Sequence, residues 1–163
     1  MFEVLVFVYE NYWRGDACPR PQQLGRKLTA VGFEPDEIAE ALLWLDGLHQ
    51  ASHNPDLVRT VPILPAEAMA LPATDSLRIY SVAEQDHLGA ECLGFVSFME
   101  AAGVLAPVMR EIVMDRAMAA HGNPVTLDDL KIIILMVYWS FGEEPDALVL
   151  DELCDDASDR MAH

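Results

Sequence analysis

Basic residues are what this sequence has least of. Ten lysines and arginines stand against twenty-seven aspartates and glutamates in 163 residues, a formal charge of −17, with an isoelectric point near 4.3. A field of that sign repels phosphate backbones and anionic lipid surfaces, so nucleic acid and membrane start as poor partners. Cysteine is scarce too. Cys18, Cys92 and Cys154 are odd in number and far apart, without the short paired spacing of a zinc knuckle or a redox motif, and they read as reduced cytosolic thiols. The run from Ile132 to Trp139 has eight residues where a bilayer span needs about twenty. The opening MFEVLVFVYENYWRGD carries Glu3 where a signal peptide carries positive charge, and its apolar run breaks at Glu10 and Asn11. The expectation is a cytoplasmic chain whose first segment belongs to the fold. Also missing are a G-x-S-x-G elbow, a phosphate-binding P-loop and a G-x-G-x-x-G turn.

What is present is core material. Hydrophobic residues make up 52% of the chain and charged residues 23%, which excludes a disordered chain and fits one compact domain or two small ones sharing an interface. Residues 2–13 read as a helix because Glu3, Glu10, Asn11 and Arg14 gather on one face at offsets of seven, eight and eleven. Pro21 opens a second helix, 21–31, with Leu24, Leu28 and Val31 on one stripe and Gly32 as a left-handed cap. Pro35 opens a third, about 35–49, with Ile38, Ala41, Leu42, Leu45 and Leu48 facing inward. Residues 51–80 form a Pro-rich connector holding Pro55, Pro62, Pro65 and Pro72. Two stretches in it, 57–61 and 77–80, have strand-like content and could pair as a small β-hairpin. From 81 the pattern is helical again. Ser81 with Glu84 is a capping-box signature, Gly89 interrupts the helix, and Gly103 stops a second stripe. Pro107 opens a helix ending near Gly122, and Thr126 with Asp129 caps one that is apolar on nearly every side, hence central. The segment from Asp146 to about Asp156 is amphipathic, and residues 141–163 hold eight acids against one arginine, a local charge of −7.

Three helices with a glycine turn, followed by a candidate wing, occupy helix-turn-helix spacings. The expected architecture is therefore mainly α: a winged-helix-like three-helix module over 1–50, the connector with its candidate hairpin over 51–80, and an α-helical C-terminal half with an acidic tail over 81–163. A recognition helix at the third position would need Arg, Lys, Asn or Gln toward base edges. This helix offers Asp36, Glu37, Glu40 and Asp46 and no lysine or arginine. Helical geometry places Leu43 opposite the core and Trp44 on its flank. Either the C-terminal half covers them, or Asp36, Glu37, Glu40, Leu43 and Trp44 form an interaction surface with an apolar anchor in an acidic rim.

Chemistry-bearing motifs are few. Glu84-x-x-His87 has the i, i+3 spacing of di-iron bundles but stands alone, and Glu84 serves better as a capping residue. Asp46-x-x-His49 is no stronger, and the histidines fall in polar, surface-like contexts. Cys92, beside Glu91 and Glu100, reads as a buried structural thiol with a raised pKa. The expectation is that the chain has no catalytic, cofactor-binding or metal residues.

The blocks MFEVLVFVYENYW, VGFEPDEIAEALLWLDGL, LRIYSVAE, CLGFVSFMEAAGVL and LDDLKIIILMVYW, in that order, resemble the bacterial Smg family over nearly the whole chain. The resemblance implies a cytoplasmic bacterial protein and brings no activity, cofactor or catalytic residue with it. Family genes that neighbour genes for DNA-processing or topoisomerase-like proteins supply a context only. The reading is a non-enzymatic adaptor or regulator that binds another protein, one with a basic surface. The alternatives are nucleic-acid binding through Arg14, Arg20, Arg26 and Lys27, and, ranked last, a metal-dependent enzyme using Glu84 and His87.

Overall fold

The computed structural model describes residues 1–12, 21–54, 78–121, 124–145 and 149. Six helices account for most of them: α1 (Phe2–Tyr12), α2 (Pro21–Val31), α3 (Pro35–His53), α4 (Val82–Ala101), α5 (Pro107–Met118) and α6 (Leu127–Phe141). Among the described residues there is no strand. The architecture is mainly helical.

Local chemistry sets the boundaries. At the end of α2, Gly32 takes φ 111°, and the Gly32 and Phe33 N–H groups donate back to Thr29 and Leu28 carbonyls at 3.2 and 3.3 Å. That left-handed closure satisfies carbonyls that the ending helix leaves open. Phe33 then meets Phe7 of α1 edge to face, with ring centroids 5.7 Å apart. Pro35 starts α3 with Asp36 and Glu37 in its first turn, where carboxylates favour the positive end of the helix dipole.

Helix α3 runs to His53, about a turn past the expected end at 49. Ala51 is buried in that added turn, and the Ser52 hydroxyl donates to the Ser140 hydroxyl of α6 at 2.7 Å. Asn54, which precedes Pro55, is pushed out of helical geometry.

Ser81 and Glu84 form the reciprocal capping box of α4, with the Glu84 N–H on Ser81 Oγ at 3.3 Å and the Ser81 N–H on Glu84 Oε2 at 2.7 Å. Gly89, at φ 70° and ψ 171°, breaks α4 into two pieces. Helix α5 stops at Met118, short of the expected end near Gly122. Thr126 Oγ1 caps α6 by accepting from the Asp129 N–H at 3.2 Å.

Helix α6 is central, as its composition requires. Every residue from Leu130 to Tyr138 is buried, and the helix packs against α1, α3, α4 and α5. Helix α3 in turn packs on α1, α2, α5 and α6. One hydrophobic cluster therefore joins Val4, Leu5 and Val8 of α1 to Ile133, Met136 and Val137 of α6 and Ile112 of α5. Helices from both ends of the chain share that core.

The winged-helix expectation meets the structure at one place. Residues 57–61 and Leu77 of the candidate hairpin lie outside the described residues, and 78–80 belong to no strand. Arg78 is instead held by acids, donating to Glu84 at 2.8 Å and to Glu111 at 3.0 Å. Tyr80 hydrogen-bonds Ser97 of α4 at 3.2 Å. The amphipathic segment 146–156 lies outside the described residues except for Val149, which packs on the core.

Candidate interaction surface on the third helix

Ile38, Ala41, Trp44, Leu48 and Ala51 turn one face of α3 into the core. Leu43 lies on the opposite face, 75% exposed. Its helical neighbours at offsets of three and four are Ala39, Glu40, Asp46 and Gly47. Asp36 and Asp46 are exposed on the same helix, and Glu37 and Glu40 are half-buried. Glu37 and Glu40 face the Met1 amino group at 3.5 and 3.9 Å, and Glu40 Oε1 reaches His121 Nδ1 at 2.5 Å. Nothing in the sequence pattern foretold that the start of α1 and the residues after α5 would converge on Glu40.

Trp44 does not belong to this surface: of the two alternatives, cover by the C-terminal half holds for it, and its place in the candidate surface is corrected. It is 4% exposed, and its indole N–H donates to the Arg116 carbonyl of α5 at 3.0 Å. The C-terminal half covers Trp44 while the described residues leave Leu43 open. Arg116 lies close against α3: a Cβ added to Gly47 would fall 1.9 Å from Arg116 Nη1. Its guanidinium is paired with Asp115 at 2.6 Å, so this cation comes already matched with a carboxylate. Of the four residues suggested for a basic face, Arg26 and Lys27 are exposed on α2. Lys27 donates to the Tyr12 hydroxyl at 3.1 Å. Arg14 and Arg20 lie outside the described residues.

Beside α3, an open groove of about 550 Å³ runs between α2, α3 and α6. Leu24, Leu42, Leu45 and Trp139 supply its apolar wall, and Asp46, His49 and His53 stand along the α3 side. In the sequence these groove residues are separate core or surface positions. Only the approach of α6 to α3, marked by Ser140 at its end, makes them one concavity.

The remaining reactive side chains have structural duties. Cys92 is buried, and its thiol is pushed up to about 11, first by burial and then by Glu91 and Asp129. Asp129 takes the part that the sequence suggested for Glu100. Glu84 is held below its ordinary value: burial opposes ionisation, but hydrogen bonds from Ser81 and Arg78 outweigh it. Arg78 is raised in turn, as Glu84 and Glu111 overcome the cost of its burial. His87 Nε2 lies 3.1 Å from the Ala117 carbonyl, so Glu84 and His87 are each engaged elsewhere. Among the described residues, no three or more His, Cys, Asp or Glu side chains converge as a metal-binding group. No described helix is long and apolar enough to cross a membrane.

These features define a mainly helical protein with a shared core and an acid-flanked leucine on α3. The chain belongs to the family described as "Protein of unknown function (DUF494)", whose model matches residues 1–163. It is 58% identical over 163 residues to a Protein Smg homolog of Leptothrix cholodnii and 54% identical over 165 residues to one of Methylibium petroleiphilum. It is 45% identical to one of Bordetella pertussis over 163 residues. Each of the three alignments covers 100% of both chains. No solved structure matches the chain.

Proposed function

We propose that this protein is a non-enzymatic adaptor or regulator that binds another protein through the outer face of α3. Leu43 is the apolar anchor, and Asp36, Glu37 and Glu40 form the rim. The observation that carries the reading is the exposure of Leu43, at 75%, amid carboxylates on a helix whose opposite face is fully committed to the core. An apolar side chain inside a charged rim gains about 1.5–3 kcal/mol when a partner covers it. The surrounding acids select a basic partner and speed encounter with it. Trp44 contributes from beneath, by fixing α3 against α5.

A nucleic-acid reading needs cations along the helix that would enter a groove. Helix α3 carries no lysine or arginine, and the Arg116 guanidinium beside it is paired with Asp115. Affinity purification from the native cell, with nuclease present and absent, tests the proposal. Wild-type protein retains a nuclease-resistant protein partner that Leu43→Asp releases. Retention that disappears with nuclease refutes the reading.

A further inference from the structure

We infer that the last turns of α3 form a two-nitrogen site for a borderline transition-metal cation of the zinc, copper or nickel class, with His49 and His53 as its ligands. The two imidazoles stand one helical turn apart, at i and i+4, both exposed, with ring centroids 4.1 Å apart. That spacing places two ring nitrogens on one side of a helix within reach of a single ion, as in motifs where paired histidines one turn apart bind zinc. In the sequence each histidine stands in polar surroundings of its own, and only the helix brings the two together.

Three further features favour a cation here. His53 Nδ1 lies 2.9 Å from the His49 carbonyl. A carbonyl oxygen only accepts, so Nδ1 carries the proton and Nε2 keeps the lone pair that ligates metal. A backbone carbonyl fixing the tautomer of a ligand imidazole is the usual outer arrangement of metal-binding histidines. Second, His53 is the last residue of α3, so the pair sits at the negative end of the helix dipole. Third, Asp46 lies three residues before His49, and both stand with His53 along the groove; its carboxylate adds negative charge without being counted as a ligand. Zinc, copper and nickel prefer imidazole nitrogen, whereas magnesium and calcium prefer the carboxylates that cover the rest of this acidic chain. The protein supplies two nitrogens and leaves the remaining coordination positions to water or to a molecule in the groove. This inference stands apart from the adaptor reading and does not depend on Leu43.

The test is copper and zinc titration of the full chain, carrying no polyhistidine tag, with magnesium in excess to occupy carboxylates. Calorimetry should give one tight zinc site. His49→Ala and His53→Ala should each weaken it by about tenfold or more, and the double variant should abolish it. The electron paramagnetic resonance spectrum of the copper-loaded protein should show coupling to two imidazole nitrogens, absent from the double variant. Both positions are exposed, so circular dichroism should show all variants folded. Zinc binding that the double variant retains unchanged overturns the assignment, as does a wild-type spectrum with oxygen ligands only or a wild-type protein that takes up no zinc over magnesium.

Discussion

The Trp44 indole N–H reaches the Arg116 carbonyl across 72 positions of sequence, and this bond joins the helix bearing the candidate surface to the C-terminal half. Around it, α3 and α5 come close enough that Gly47 leaves room for the Arg116 guanidinium. Trp44→Ala should therefore cost about 3–5 kcal/mol. Trp44→Phe keeps most of the packing and leaves the carbonyl without its donor, costing on the order of 1–2 kcal/mol. Urea unfolding followed by circular dichroism measures both; a midpoint for Trp44→Ala equal to wild type would mean the contact does not hold the halves together.

Two glycines of α4 should respond with opposite sign. Gly94 has helical geometry and open space where a Cβ would point, so Gly94→Ala should raise stability by up to about 1 kcal/mol. Gly89 sits at φ 70° and ψ 171°, a region that side-chain-bearing residues avoid, so Gly89→Ala should lower stability by about 1–3 kcal/mol. Thermal melts of the two variants side by side decide the matter: a Gly89→Ala protein as stable as wild type contradicts the described break in the helix, and a destabilised Gly94→Ala contradicts the open space at that position.

Glu84 gives a pH signature. Its folded value lies below the ordinary 4.5. Its contribution is therefore complete above that pH and is lost as pH falls through the lower folded value. Glu84→Gln should be less stable than wild type near neutrality by about 0.5–2 kcal/mol, mainly through the weakened cap. The gap should narrow on acidification below the ordinary carboxylate range. Unfolding free energies at a series of pH values test this, and a gap that widens in acid runs against the assignment.

Cys92 should react slowly with thiol reagents. Burial and neighbouring carboxylates raise its thiol to about 11, which keeps the nucleophilic thiolate rare near pH 8. Peptide mapping after brief alkylation should find Cys92 unmodified in the native protein and modified in denaturant. Equal labelling in both would show that the site opens readily.

Much of the helical order was legible because its signals are local. Pro21, Pro35 and Pro107 mark helix starts, Ser81 with Glu84 and Thr126 with Asp129 mark caps, and Gly32, Gly89 and Gly103 mark breaks. The uninterrupted apolar run from Ile132 also revealed the central helix, since only burial on all sides tolerates it. Trp44 was not legible. Helical angles give the direction of a side chain, but what lies in that direction depends on where α5 passes, a contact distant in sequence. The extra turn of α3 has the same origin, since Ser52 finds its partner on α6. Leu43 was located correctly opposite the core because that placement needs only the helix's own geometry.

The most direct test of the proposed surface compares wild type, Leu43→Asp and Trp44→Phe in nuclease-treated affinity purification from the native cell, alongside their melting curves. Leu43→Asp should melt within about 1 kcal/mol of wild type, as expected for an exposed position, yet lose the retained protein. Trp44→Phe should melt earlier and keep the partner under conditions where it is folded. A Leu43→Asp protein that retains the same partner as wild type, at the same salt concentration, would contradict the assignment of α3 as the docking face.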